Sequence, residues 1–449
     1  MSAWQPYLPY NALLCRYNEI ATKRRNRRLF EEHLAEGLQR ALGGVGQLDF
    51  RFPHGRIFAL PKAPKSVFTP ADLDLLRQKA HLVPGLVSVS PGFLLNPDME
   101  EIEDAVLQHF PTVYAAFRAC SPPLALTYAM RARRSDKSFP LTSEQIERHF
   151  AELLLPERPE LRLDLRHANL VMELEVRSRQ AFLSFERIAG AGGLPPGTGG
   201  RVLALLSGGF DSPVACHQMM RRGCMVDFIT FHSSPYTPPA YLTKVCTLVR
   251  KLNECQRRGR LVAVNLLPAQ LAIRDHCRSR HRTVLYRRFM VRIAALVAKD
   301  FNAMALVTGD NLGQVASQTL PNMAAINDAA PIMVLRPLLT YDKLDTLAIA
   351  ERIGTYAISV EPIPDSCTVF APDDPATAVE LKAILDDEAS LDIPSLLKAC
   401  LSGACIINVD SMRQHDYLKI HPHADDLPET PASQNDHVQP TTGEHDEMA

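Results

Sequence analysis

Ser207-Gly208-Gly209-Phe210-Asp211-Ser212 lies directly after the apolar run 202–206 and directly before a helix opened by Pro213. Glycines let a backbone turn tightly and bring amide groups close to an anion, and the N-terminus of the following helix adds a favourable dipole. The stretch is therefore expected to bind phosphate. It is not the Walker pattern, because the lysine after the second glycine is missing, and it is not the dinucleotide GxGxxG. An ordinary strand-to-helix turn with capping serines is the bland alternative. The order of strand, loop and helix weighs against it.

Working outward from this loop, apolar runs recur at 225–231, 261–266, 303–307 and 332–335, separated by spans long enough for crossover helices. Continuous apolar strands of this kind suit a parallel sheet covered on both faces, so the expected fold class is α/β, a doubly wound sheet. Ligands of such sheets sit at the carboxyl ends of the strands. That rule draws Phe231 and His232, Thr308-Gly309-Asp310, Gly313-Gln314 and Ser317-Gln318 toward the loop. Arg287 and Arg288 stand on a helix with apolar stripe Leu285, Phe289, Ile293 and Leu296, and are candidates for phosphate or RNA contact. Taken singly, each reads equally well as a surface charge or a loop cap.

Upstream, the texture is that of two small α+β units. In the first, strands are expected at 7–15, 56–60 and 86–89, with a helix buried through Phe30, Leu34, Leu38 and Ala41 and a second helix at 71–79. In the second, helices at 101–119 and 143–155 alternate with strands at 124–130, 162–165, 170–176 and 181–185. The glycine-rich stretch 189–200 reads as a linker or an ordered loop. Working boundaries are 1–90, 91–187, 188–420 and an acidic tail, 421–449, whose polar composition predicts disorder.

Bulk properties narrow the function classes. At 449 residues and 46% hydrophobic composition, the chain can bury several cores. No apolar run approaches the roughly 20 residues that span a bilayer, and the first residues lack a signal-peptide layout, so a cytoplasmic protein is expected. Ten cysteines without a CxxC pair argue against a disulfide framework or a thiolate metal site. Residues 1–65 carry eleven Lys and Arg against five Asp and Glu, a net +6, whereas 421–449 hold seven acids and no Lys or Arg. The basic run Lys23, Arg24, Arg25, Arg27 and Arg28 just ahead of the Phe30 helix is either a solvated face or a phosphate contact.

Cys367 lies in Glu361-Pro362-Ile363-Pro364-Asp365-Ser366-Cys367-Thr368, a proline-stiffened loop, with Asp374-Pro375 downstream as an expected start for the next helix. An accessible thiol in such a loop suits sulfur chemistry. From composition alone a buried structural cysteine is the better reading.

The arrangement SGGxDS resembles the loop of the ATP pyrophosphatases, and the pieces together resemble the tRNA 4-thiouridine synthetases (tRNA uracil 4-sulfurtransferases) over roughly residues 7–405. Besides the loop, the matching blocks are Met220-Arg221-Arg222-Gly223-Cys224, Arg288-Phe289-Met290-Val291-Arg292, Leu306-Val307-Thr308-Gly309, Gly313-Gln314-Val315-Ala316-Ser317-Gln318-Thr319-Leu320 and Leu335-Arg336-Pro337-Leu338. The resemblance implies a ferredoxin-like domain, an RNA-binding THUMP domain and a pyrophosphatase (PP-loop) domain. It places ATP contacts on Leu205, Leu206, Ser207, Gly208, Gly209, Asp211, Ser212, Phe231, Arg287, Gly309 and Gln318. Asp211 becomes the aspartate needed for adenylation and Cys367 the sulfur carrier, which reverses the compositional reading of that thiol. Arg131, Arg133 and Arg134 of the THUMP-like unit join Lys23 to Arg28 as RNA contacts.

The implied reaction starts with ATP and Mg²⁺. O4 of uridine 8 of tRNA attacks the α-phosphorus, and a persulfide on Cys367 then supplies sulfur to C4, directly or as released sulfide. Implied partners are tRNA and a cysteine desulfurase or other persulfide donor, with a homodimer allowed and no membrane. Two departures matter. Long family members append a rhodanese-like domain where this chain has its acidic tail, so sulfur is expected from outside and a role in thiamine thiazole synthesis is disfavoured. Cluster-bearing relatives place CxxC where this chain has Thr283-Val284-Leu285-Tyr286, so no metal ligands are assigned. An ammonia-using PP-loop enzyme and a non-catalytic tRNA-binding protein are the rivals.

Overall fold

The computed structural model describes residues 7–53, 55–119, 124–365 and 369–417. The expected tail at 421–449 and Cys367 itself lie outside the described residues.

In the N-terminal half, apolar alternation forms β1 (Ala12–Arg16), β2 (Leu48–Arg51), β3 (Ile57–Pro61), β4 (Ser88–Leu95), β5 (Thr127–Arg134), β6 (Arg162–Leu163), β7 (Leu170–Arg177), β8 (Gln180–Ser184) and β9 (Ile188–Ala189). The helices are α1 (Arg27–Ala41), α2 (Pro70–Lys79), α3 (Met99–Arg118) and α4 (Ser143–Leu154). Both expected α+β units are present, but they share one nine-stranded sheet of order β2-β3-β1-β4-β8-β7-β5-β6, with β9 beside β4. Strand β4 belongs to both, because its first half pairs with β1 and its second half with β8. One continuous core, from Leu8 through Leu194, lies under the helices. Capping boxes at Thr69 and Thr142 start α2 and α4.

The glycine-rich stretch 189–200 is an ordered loop that joins the two halves. Gly190 and Gly192 donate N–H bonds to Val87 and Leu86, and Leu194 donates to the Arg221 carbonyl at 2.8 Å. A Cβ on Gly193 would lie 2.1 Å from that same carbonyl oxygen, so only glycine permits the approach.

The C-terminal half contains β10 (Arg201–Leu205), α5 (Asp211–Arg221), β11 (Met225–His232), α6 (Ala240–Leu252), β12 (Leu261–Asn265), α7 (Leu267–His276), α8 (Arg282–Asp300), β13 (Ala305–Val307), α9 (Leu320–Asp328) and β14 (Met333–Leu335). After these come α10 (Lys343–Arg352), α11 (Tyr356–Ser359), α12 (Leu381–Glu388), α13 (Ile393–Ser402), β15 (Cys405–Asn408) and β16 (Arg413–Asp416). Strands β14-β13-β10-β11-β12 are parallel, as expected, and the antiparallel pair β15-β16 extends the β12 edge. Cores on both faces cover the sheet. No helix among the described residues is long and apolar enough to cross a membrane.

Two local expectations fail. Arg27 and Arg28 are not ahead of the Phe30 helix but form its first turn, behind a 3-10 segment (Glu19–Asn26). Asp374-Pro375 does not open a helix. The chain there stays irregular until α12 because the buried Asn322 amide binds the Ala376 carbonyl and the Val379 N–H.

Candidate active site

The parallel sheet delivers the ends of β10, β11 and β13 to one cavity of about 270 Å³, with Leu205, Leu206, Ser207, Asp211, Ser212, Phe231, Arg287, Gly309 and Gln318 on its walls. Gly208 and Gly209 make the turn itself and do not line the cavity. Ser212 Oγ accepts the Ser207 N–H at 2.9 Å and lies 3.1 Å from Ser207 Oγ. The serines therefore brace the loop rather than cap the helix. Phe210, the N-cap of α5, has no side-chain acceptor and makes no cap bond, so the first-turn amides of α5 are left available to an anion. Gly309 allows the β13 loop to rest on α5, since a Cβ there would lie 2.7 Å from the Ser212 backbone nitrogen.

Two acids of this cavity are tuned differently. Burial pushes the Asp211 carboxyl up, only partly offset by the hydrogen bond from Gln314 Nε2 (3.2 Å) and by Lys343. Asp310 is buried too, but Arg287, Thr308 and Arg336 hold its carboxyl below the usual range. Thr308 Oγ1 donates to Asp310 at 2.7 Å, and Arg336 Nε and Gln318 Nε2 approach at 3.4 Å. The Asp310 contact fixes the Gln318 amide orientation and leaves its Oε1 buried without a partner. An acceptor in that position suits a ribose hydroxyl or an exocyclic amine.

Sequence reasoning missed several wall residues, including Tyr241, Met290, Val291, Ile326 and Arg336. Arg336 sat inside a quoted block, and its arginine is the only charged group there. Lys244 was missed altogether. Its buried ammonium donates to the carbonyls of Ser359 (2.8 Å) and Glu361 (2.9 Å), and a Cβ on Gly208 would lie 3.4 Å from Lys244 Nζ. It anchors the start of the cysteine loop beside the phosphate loop. His232 is not among the lining residues, and Arg288 is a correction. Its side chain is sealed in the core against Glu388 and Asp328, because one residue along a helix turns the side chain by about 100° away from Arg287.

Asp365, two residues before Cys367, lines the same cavity. Of the other thiols in this half, burial raises Cys246, Cys277 and Cys400 to about 11 and Cys255 to about 12, and raises Cys216 and Cys224 as well. None of these six is poised as a thiolate.

On the open face of the nine-stranded sheet, the register sets Arg131 beside Glu173 and Arg133 beside Glu175. Arg16, Arg56 and Arg187 close around the same two glutamates, at 2.7, 3.1 and 3.2 Å. Arg177 also pairs with Glu175, at 2.7 Å, so four arginines share two carboxylates while Arg131 and Arg133 line the same hollow. Arg134 turns away and donates to the Phe139 carbonyl at 2.9 Å. In the other basic cluster, Arg28 pairs with Glu32 and covers Phe52, Lys23 lies over Phe30, and Arg24 and Arg25 are exposed.

A phosphate-binding turn of the SGGxDS pattern at the carboxyl ends of a doubly wound sheet is that of the PP-loop class of ATP pyrophosphatase folds. Comparison with known proteins makes this specific. Residues 12–90 match the ThiI ferredoxin-like domain, 96–186 the THUMP domain, and 197–393 the thiamine biosynthesis protein (ThiI) model. The probable tRNA sulfurtransferase of Moorella thermoacetica is 38% identical over 401 residues, covering 89% of this chain and 98% of that protein. That of Alkaliphilus oremlandii is 37% identical over 393 residues, 88% and 97% of the two chains. A 4-thiouridine synthetase solved with RNA and bound ATP superposes with a TM-score of 0.76 at 32% identity, covering 88% of this chain and 99% of that one. The chain belongs to the tRNA sulfurtransferase family.

Proposed function

We propose that this enzyme converts uridine 8 of tRNA to 4-thiouridine by adenylating O4 and then transferring sulfur from Cys367. The observation that carries the reading is the cavity that joins an uncapped phosphate loop, the Asp211 carboxylate and the unpartnered Gln318 Oε1, with Asp365 of the cysteine loop on its wall. The solved relative, a 4-thiouridine synthetase with RNA and ATP, supports it.

Uracil O4 is a poor leaving group, and adenylate is a good one. In the first step O4 attacks the α-phosphorus and pyrophosphate leaves toward the loop amides and the α5 N-terminus, which stabilise its charge. In the second, the terminal sulfur of a Cys367 persulfide attacks C4 and AMP departs. A second thiol, from the catalytic domain or from outside the chain, then attacks Cys367 Sγ and cleaves the S–S bond, leaving thiouridine and a disulfide that a further thiol reduces. A cysteine desulfurase or similar donor reloads the persulfide.

Among the described residues no group of three or more acids, histidines or cysteines is placed to hold a metal. That suits Mg²⁺, which is held by one or two carboxylates plus substrate phosphates. Asp310 is occupied by its guanidiniums, so Asp211 is the fitting ligand, and the ion's role is to neutralise phosphate charge. Arg131, Arg133 and the Lys23 to Arg28 cluster hold RNA phosphates. Of the boundaries at 90, 187 and 420, that at 187 separates the RNA-holding units from the catalytic one, while 90 falls within β4, the strand the first two units share. The test is Asp211→Ala, which should abolish tRNA-dependent pyrophosphate release while tRNA affinity stays within about twofold. Undiminished release overturns the adenylation role.

A further inference from the structure

Beside the nucleotide cavity lies a second one, of about 320 Å³, that shares Arg287, Met290 and Val315 with it. Its remaining walls are mostly apolar: Tyr286 on α8, Ala316, and Ala371, Pro372 and Pro375 from the chain beyond the cysteine loop. The cleft is built rather than left over. The amide of Asn322, fully buried, spans its two sides by donating to the Ala316 and Ala376 carbonyls, both at 2.7 Å. Thr319 Oγ1 binds the Thr377 carbonyl at 2.6 Å, and the Ala376 N–H binds the Arg280 carbonyl at 3.0 Å. Walls strapped together at three points, with no side chain of the described residues filling the space between them, are those of a preformed ligand site.

We propose that this cleft receives the target pyrimidine, flipped out of the RNA. The inference rests on the adenylation reading and adds where the base goes. An enzyme acting on an atom of a nucleobase takes the base into a pocket of apolar and aromatic side chains. The shared walls then matter: a base in the cleft meets the nucleotide at Arg287 and Met290, where its oxygen reaches the α-phosphorus. The surroundings favour a polyanion over a protein carrying sulfur. Of the seven arginines in residues 274–292, Arg288 and Arg292 are committed to Glu388 and Arg287 to Asp310, which leaves Arg274, Arg278, Arg280 and Arg282 against the single acid Asp275 of that stretch. Arg278 and Arg280 are more than half exposed around the cleft, although each also meets an aspartate.

The test uses Ala371→Trp, an exposed position, and Thr283→Trp, each placing an indole in the cleft. Four quantities are measured on the full chain: ATP affinity, tRNA affinity, tRNA-dependent pyrophosphate release, and fluorescence of a tRNA carrying a fluorescent pyrimidine analogue at position 8. ATP and tRNA affinities should stay within about twofold, and pyrophosphate release should fall at least tenfold. The fluorescence change that wild type produces on binding should disappear. Full pyrophosphate release with loss only of desulfurase-dependent thiolation would make the cleft a donor site and overturn the proposal. Parallel loss of ATP affinity would make it part of the nucleotide site and overturn it too. The fluorescence arm is independent of chemistry: if wild type releases no pyrophosphate yet shows a change that both variants lack, adenylation fails and the base site stands. If wild type and variants give the same fluorescence, the base site fails.

Discussion

Glu388 and Asp310 each hold two guanidinium groups, and three of the four arginines involved are neighbours on or near one helix, yet the two sites do opposite work. Glu388 receives Arg288 through two bonds of 2.8 and 2.9 Å and Arg292 through another bidentate contact, and both the glutamate and Arg288 are sealed from water. Burial alone would push the Glu388 carboxyl up, but the two arginines hold it below its usual range. Asp310 has the same one-to-two stoichiometry, but Arg336 approaches only at 3.4 Å and all three groups face the nucleotide cavity. A saturated, bidentate knot fixes α8 to α12. An uneven one at a cavity wall, tight to Arg287 at 2.5 Å and long to Arg336, keeps two cations in reach of an incoming phosphate. Composition does not separate structure from function here; the geometry of the donors does.

The comparison breaks most visibly at Glu388. Glu388→Gln takes the carboxylate from Arg292 and leaves Arg288 to the Asp328 carboxylate, and should destabilise the C-terminal half by about 3–5 kcal/mol at pH 7. Urea titration measures it. Because the folded carboxyl is depressed, the stabilisation is present above the unfolded value of about 4.3 and fades as pH falls through the folded one, so the gap between wild type and variant should shrink progressively as pH drops below about 4.3. Turnover per folded molecule should be unchanged. Asp310→Asn tests the open knot. It should cost less stability, about 1–3 kcal/mol, while raising the KM for ATP about tenfold through misplaced Arg287 and Arg336. An unchanged KM would mean that Asp310 is structural like Glu388. The smallest effect contrasts arginines on the nine-stranded sheet. Arg131→Ala with Arg133→Ala should flatten the slope of log tRNA affinity against log salt by about one to two units, whereas Arg134→Ala should leave it unchanged. Equal slopes for the two would remove the sheet face from the RNA interface.

The phosphate loop and the parallel strands were legible because both depend on local pattern, glycines at a strand end and continuous apolar runs. The fusion of the first two units into one sheet was not, since β4 carries no mark of pairing with β1 on one half and β8 on the other. Arg287 and Arg288 illustrate the limit at the site. Adjacent arginines read alike in sequence, and only the rotation of α8 sends one to the cavity and the other to Glu388. Lys244 was invisible for a related reason, since its partners are backbone carbonyls of a segment more than a hundred residues away. Arg16, Arg56 and Arg187 likewise come together only through sheet register.

The measurement that bears most directly on the account follows both half-reactions of Cys367→Ala in one assay, with desulfurase, cysteine, ATP and a tRNA transcript. Since the adenylate forms before sulfur moves, the variant should release pyrophosphate at a rate within about threefold of wild type and form no thiouridine, as read by nucleoside mass spectrometry. Normal thiouridine formation by Cys367→Ala, with activity lost instead on replacing another cysteine, would contradict it.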